Sequence, residues 1–376
     1  MTERVLEHAP FPPSGMAITI QCPGSWKLQN QYPARDDTDS AAEGVAAHWV
    51  VAQGMTGKLP DVNVIAPNGI PVTDEMLDGA ELYMDAIGID PLNNIEQRLP
   101  ASDYFGSDCW GTPDTYRFKP IAEGGVLLVS DYKFGHRFVD VFENWQLMTY
   151  ALLILDGQFG FDGLKEQHVR VIFKIVQPRC YDPRGPVREW SVLASDLRPY
   201  WNKIHAAITQ AQSEHAVCWV GPECRDCSAS AHCPSLHHAA QAVLDAARRP
   251  IPVELPPNAL GYQLRSIRRA IEILEARKSG LEEVTLEKLK AGQFVPGFAV
   301  GRGQGRVRWK IPVAQIENIG KLMNVQLTES KPITPRQAVK LGLPADLINE
   351  FSETPAGKLT LVEDDGRLAD QAFGGK

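Results

Sequence analysis

The chain of 376 residues contains no run of about 18 apolar residues, so no membrane-spanning helix is expected. It also lacks a basic start leading into an apolar stretch. Met1-Thr2-Glu3-Arg4 is of mixed charge and runs into Pro-rich sequence, so the expectation is no secretion signal and a cytoplasmic location. There is no basic excess: 38 Lys and Arg against 46 Asp and Glu give a net charge of −8, which argues against a coat held to nucleic acid by bulk charge. No internal repeat is evident. Cysteine is scarce and odd in number, seven in all, and unevenly placed. In a reducing compartment that favours a metal or cluster site over disulfides.

What remains is an ordinary globular composition, 44% hydrophobic and 22% charged, in a chain long enough for more than one domain. Ser40 to Gly54 reads as a helix, with Ser40 as N-cap and Glu43 as its capping-box partner. Asp74 to Ile87 reads as a second. Trp110 to Phe118, Val126 to Tyr132 and His168 to Val176 are candidate strands, the second an unbroken apolar run suited to burial on both faces. Asn144 to Asp156 is apolar at helical spacing, and Asp196 to Ala211 is a further helix. This alternation predicts an α/β fold, a mixed central sheet flanked by helices. After Cys233 a short helix runs to Arg248. Pro250, Pro252, Pro256 and Pro257 mark a linker, so the expected domains are 1–248, a linker 249–259, and a mainly helical extension 260–376. Leu260 to Ala291 is amphipathic with a break or hairpin near Ser279-Gly280. Thr334 to Leu341 and Pro344 to Phe351 read as short helices.

The chemistry concentrates around Asp131-Tyr132-Lys133, at the end of an apolar strand. Asp114 stands seventeen residues earlier in Gly111-Thr112-Pro113-Asp114, and Gln146-Leu147-Met148-Thr149-Tyr150 follows at helical spacing. Two carboxylates and a main-chain carbonyl suffice for magnesium, which prefers oxygen and keeps several waters. Lys133 shares the side-chain parity of Asp131, so both face the same way on a strand. Gln146 and Tyr150, four apart, share a helix face.

This order resembles the PD-(D/E)XK nuclease superfamily, and its RecB-like branch in particular. The resemblance implies a restriction-endonuclease-like core and a divalent-metal-dependent DNA exonuclease. Asp114, Asp131 and the main chain of Tyr132 would hold Mg2+ or Mn2+, Lys133 would assist the attacking water, and Gln146 and Tyr150 would position the strand. Gly44-Val45-Ala46-Ala47-His48 matches the branch's Gly-x-x-x-His pattern and would add His48 as a ligand, a donor that also suits manganese.

Cys224-Arg225-Asp226-Cys227 followed by Cys233 gives C-x2-C-x5-C. Four thiolates can hold a [4Fe-4S] cluster or Zn2+. The fourth ligand is open between Cys218, near in sequence, and Cys22. Iron–sulfur RecB-like nucleases, the CRISPR-associated ones included, carry one cysteine before the histidine motif, which favours Cys22 and a cluster acting as a staple. Segments near Gly297, Gly301 to Lys310, Thr334 to Ala338 and Gly357 to Val362 resemble a phage-borne group of such nucleases. That likeness implies DNA recombination or replication in a bacterial host cell, on linear DNA with a free end, beside a single-strand-binding or annealing protein. Residues 261 to 310 hold eleven Lys or Arg against five Asp or Glu. Arg302, Arg306, Arg308 and Lys310 are candidate phosphate contacts, and Trp309 a candidate base-stacking residue. The alternatives are a non-catalytic DNA-binding scaffold and a structure-selective endonuclease.

Overall fold

The structure, a computed structural model, describes residues 9–32, 39–121, 124–160, 168–248 and 255–300. The chain divides into one compact unit of residues 1–298 with 373–376, and another of 299–372. Residues 301–376 lie outside the described ones. With them lie the candidate contacts Arg302, Arg306, Arg308, Trp309 and Lys310 and the two expected short C-terminal helices.

The first unit begins with short helices α1 (Met16–Gln21) and α2 (Ser25–Gln29), then α3 (Asp39–Met55) and α4 (Asp74–Ile87). Strands β1 (Asn94–Ile95), β2 (Thr115–Ile121) and β3 (Gly124–Tyr132) follow, then α5 (Trp145–Phe159), β4 (His168–Val176) and β5 (Val187–Leu193). The chain continues through α6 (Arg198–Gln212), α7 (Pro234–Ala246) and α8 (Pro257–Lys290). The five strands form one sheet in the order β1-β2-β3-β4-β5. All neighbours are antiparallel except β3 and β4, which are parallel and joined through α5. Helix α5 serves as the crossover that a parallel pair needs.

Local chemistry accounts for these elements. Asn144 caps α5 by accepting the Leu147 N–H at 3.1 Å. All residues from Leu147 to Leu155 are buried, against the sheet and α6. Thr73 caps α4 in the same way through Met76 N–H at 3.3 Å. Strand β3 is buried on both faces from Leu127 to Tyr132, apart from half-exposed Val126 before it, as its apolar run predicts. Leu127 and Val129 face the core of α5 and α6, while Leu128 and Tyr132 face that of α3 and α4.

Several expectations need correcting. Strand β2 begins at Thr115, not Trp110, since Pro113 has no N–H to give a ladder. Helix α3 begins at Asp39, so Ser40 lies inside it. Glu43 does not close a capping box but accepts two hydrogen bonds from Arg179, at 2.8 and 2.9 Å. Helix α8 is continuous over 34 residues, with no break at Ser279-Gly280. Gly280 marks a close approach instead: a Cβ there would lie 2.6 Å from the Ala231 nitrogen. Helix α8 packs on α7 and on the turns that carry the cysteines, so it belongs to the same compact unit as the sheet, although the Pro-rich sequence before it reads as a linker.

Candidate metal centre

Three carboxylates stand side by side at one end of the sheet. Ile95 pairs with Thr115, and Thr115 pairs with Ser130. The residues next beyond these pairs, at the end of the ladders, are Glu96, Asp114 and Asp131. The Glu96 N–H donates to the Asp114 carbonyl at 3.1 Å. Helices from both faces of the sheet close on this row. From α3, His48 Nδ1 lies 3.0 Å from Asp114 Oδ1. From α5, Gln146 Nε2 donates to Asp131 Oδ1 at 2.8 Å. Lys133 Nζ lies 3.0 Å from Asp131 Oδ2 and donates to Gln146 Oε1 at 3.0 Å. The Tyr132 N–H donates to Asp114 Oδ2 at 2.5 Å. Tyr150 donates its hydroxyl proton to the Thr112 carbonyl at 3.0 Å, bracing the loop that delivers Asp114.

Among the described residues, donor atoms of His48, Glu96 and Asp114 fall within 4.8 Å of one another, a spacing that one metal ion can bridge. The charges fit a cation. Burial pushes the Glu96 carboxyl up to about 7, and nearby Asp114 adds to the push. Burial likewise raises Asp131, against the pull of Lys133. Burial opposes the charged form of Asp114 too, but His48 and the Tyr132 N–H outweigh it and hold the carboxyl below its usual range. Burial disfavours imidazolium at His48, yet Asp114 raises its pKa to about 9. Without an ion, protons on His48 and Glu96 therefore balance the acids. A divalent cation would take their place, since metal ligands must be deprotonated.

Most of the residues expected from sequence thus meet here: His48, Asp114, Asp131, Tyr132, Lys133 and Gln146, with Tyr150 behind Asp114. Asp131 is tied to Lys133 and Gln146, and it is Glu96 that joins His48 and Asp114 in the compact donor set. Sequence reasoning missed Glu96. Strand β1 has only two residues and so no periodicity to read. It also missed Arg179, 11% exposed, which joins Glu43 of α3 and Glu75 of α4 and lies 3.7 Å over the Phe134 ring, next to Lys133.

Away from the sheet, Cys22, Cys218, Cys224, Cys227 and Cys233 all line one small cavity beside α1 and α2. Backbone N–H groups point at sulfur: Trp219 to Cys22 at 3.2 Å and Gly221 to Cys224 at 3.3 Å. Burial raises the thiol of Cys227 to about 11 and that of Cys218 to about 12, Cys22 and Cys233 adding to the latter. Both open candidates for the fourth ligand are present. Cys109 and Cys180 are buried elsewhere and do not line this cavity.

A family model described as "Protein of unknown function (DUF2800)" matches residues 8–368. The chain belongs to this DUF2800 family. That match spans the sheet, both donor clusters and nearly all of the C-terminal region. Among solved structures, the chain is similar to a crystal structure from Eubacterium rectale of a protein provisionally named an exonuclease. The two share 12% identity over 66% of this chain and 92% of the other, with a TM-score of 0.33. No described helix of this DUF2800 protein is long and apolar enough to cross a membrane.

Proposed function

We propose that this protein is a divalent-metal-dependent deoxyribonuclease that hydrolyses phosphodiester bonds from an end of linear DNA. The observation that carries the reading is the convergence of Glu96, Asp114 and Asp131 at the ends of β1, β2 and β3, with Lys133 next to Asp131 on the same segment and His48 brought in from α3. Bound Mg2+ or Mn2+ supplies a Lewis acid and an acidified water. The protein's own groups do the rest. His48, Asp114 and Glu96 would hold the ion, with the Asp131 carboxylate available nearby. Lys133 has three N–H donors, and its contacts to Asp131 and Gln146 fix the ammonium so that a further N–H can meet the attacking water or a phosphoryl oxygen. Water adds to phosphorus, the P–O ester bond breaks, and the leaving oxygen takes up a proton.

The five thiols around one cavity, two of them accepting main-chain N–H bonds, fit a [4Fe-4S] cluster that joins the N-terminal helices to the segment after α6. Cys22, Cys224, Cys227 and Cys233 are the proposed ligands, in keeping with the resemblance. The phage-borne likeness extends the proposal to recombination or replication beside a single-strand-binding or annealing protein.

The test combines anaerobic purification, iron and zinc analysis, and Mn2+-dependent digestion of linear and closed circular DNA. Digestion of the linear form alone, lost in Asp131→Ala and Lys133→Ala while DNA binding persists, supports the proposal. Cleavage of circles would make the protein an endonuclease. Zinc with no digestion would leave a binding scaffold.

A further inference from the structure

In front of the metal centre lies an open groove of about 690 Å³, walled by α3 on one side and by Glu96 and Asp114 on the other. Its acidic side suits a cation. Apart from His48, its α3 side presents mainly apolar surface: Val45, 54% exposed, and the outer part of Trp49. Trp49 packs its remaining surface against the core between α3 and α4. Between them and the N-terminus of the helix sits Gly44. No left-handed backbone requires glycine here, and among the described residues a Cβ would meet no atom of another element within 4 Å. Glycine in mid-helix is destabilising relative to alanine by roughly 0.5–1 kcal/mol. Neither backbone geometry nor packing among the described residues accounts for it. What it does is keep the groove open one helical turn before His48.

We propose that this groove seats an unpaired nucleobase of a single DNA strand, its face against Val45 and Trp49, with Gly44 leaving room for the sugar or base edge. This rests on the nuclease reading and deepens it by naming the substrate as a single-stranded end. The volume falls among pockets for one small ligand, about 300–1,000 Å³, and leaves room for a base with its sugar. An apolar and aromatic wall beside a metal site that needs a phosphate matches the two halves of a nucleotide, since every base has a π-face to stack.

The experiment uses the full chain and a fluorescent oligonucleotide in three forms: single strand, the same strand with one abasic residue at either end in turn, and blunt duplex. Binding is read by anisotropy in Ca2+ and cleavage in Mn2+. The intact strand is expected to bind roughly tenfold tighter than one of the abasic-ended strands. Trp49→Ala should erase that difference and Trp49→Phe should keep most of it. Gly44→Leu should weaken strand binding at an undiminished melting temperature and an unchanged Mn2+ titration. Equal binding of intact and abasic strands by the unaltered protein, equal use of duplex, or strand binding indifferent to Gly44→Leu would overturn the seat. Base-dependent binding without cleavage would leave the seat standing and sink the nuclease reading. Cleavage without base dependence would do the reverse, and neither binding nor cleavage would sink both.

Discussion

The acid centre and the cysteine cavity each gather donors from far apart in the chain, but they are held in different ways. The acid row rests on strand register: Glu96, Asp114 and Asp131 are placed by backbone ladders over a large core shared by β3, β4, α5 and α6. The cysteines ride on loops and single turns. Among the described residues, the hydrophobic cluster packed around them has four buried members, Cys224, Cys233, Leu236 and Ala276. A site framed by a sheet keeps its shape when empty. If the thiols hold the proposed cluster, a lobe with so small a core depends on it, because metal-binding free energy is then folding free energy.

The two sites should therefore fail differently. Lys133→Ala should lower cleavage the most, by roughly 10²–10³-fold in single-turnover assays, while limited proteolysis still finds the cysteine lobe closed. Cys224→Ser should do the opposite. Limited proteolysis should open the segment from Ser213 through α8, while Mn2+ still titrates into the acid centre. If Mn2+ binding vanished together with the lobe, the two regions would form one cooperative unit and the contrast would collapse.

Smaller effects sharpen the comparison. Gly280→Ala puts a methyl group against the Ala231 backbone and should destabilise the cysteine lobe by about 1–3 kcal/mol, despite the better helix former. Hydrogen exchange would locate the loss in α7 and α8. Arg179→Ala removes the hydrogen bonds to Glu43 and Glu75 that tie α3 and α4 to the loop after β4. A loss of about 2 kcal/mol in urea unfolding is expected. It should be accompanied by weaker Mn2+ binding through a loosened His48.

The pH dependence follows from the two raised groups. Glu96, raised to about 7 from 4.5, and His48, raised to about 9 from 6.5, hold more protons folded than unfolded. In the metal-free protein, their contribution is complete below their unfolded values. It is lost as pH rises, through about 7 for Glu96 and about 9 for His48. Metal must displace those same protons, so Mn2+ affinity should climb between pH 6 and 9. Calorimetry in buffers of different ionisation heat would count the protons released. Glu96→Gln should flatten the lower part of the climb. A flat profile in the unaltered protein would remove both groups from the donor set.

Much of the acid centre was legible in the sequence because chemistry and period coincide there. Asp131 and Lys133 share a strand face, and an apolar run precedes them. Gln146 and Tyr150 share a helix face, and Gly44 precedes His48 by one turn. Strands β3 and β4 and helix α5 were readable from their apolar patterns for the same reason. Glu96 was not, since a two-residue strand has no period. Nor was β5, whose Arg188 and Glu189 mask its alternation. Gly280 carried the local signature of a break, and only the proximity of Ala231 shows it to be a contact.

The sequence by itself determined which donor-type side chains are available, acids, histidine and cysteines, and, for most of them, along which faces they repeat. Tertiary structure decided which of them meet. Register between β1, β2 and β3 puts Glu96 beside Asp114 and Asp131, and the packing of α1 and α2 brings Cys22 and Cys218 to one cavity. Period is a local property of the chain, fixed within a few residues. Register and docking are settled by burial summed over segments far apart, which no local pattern encodes.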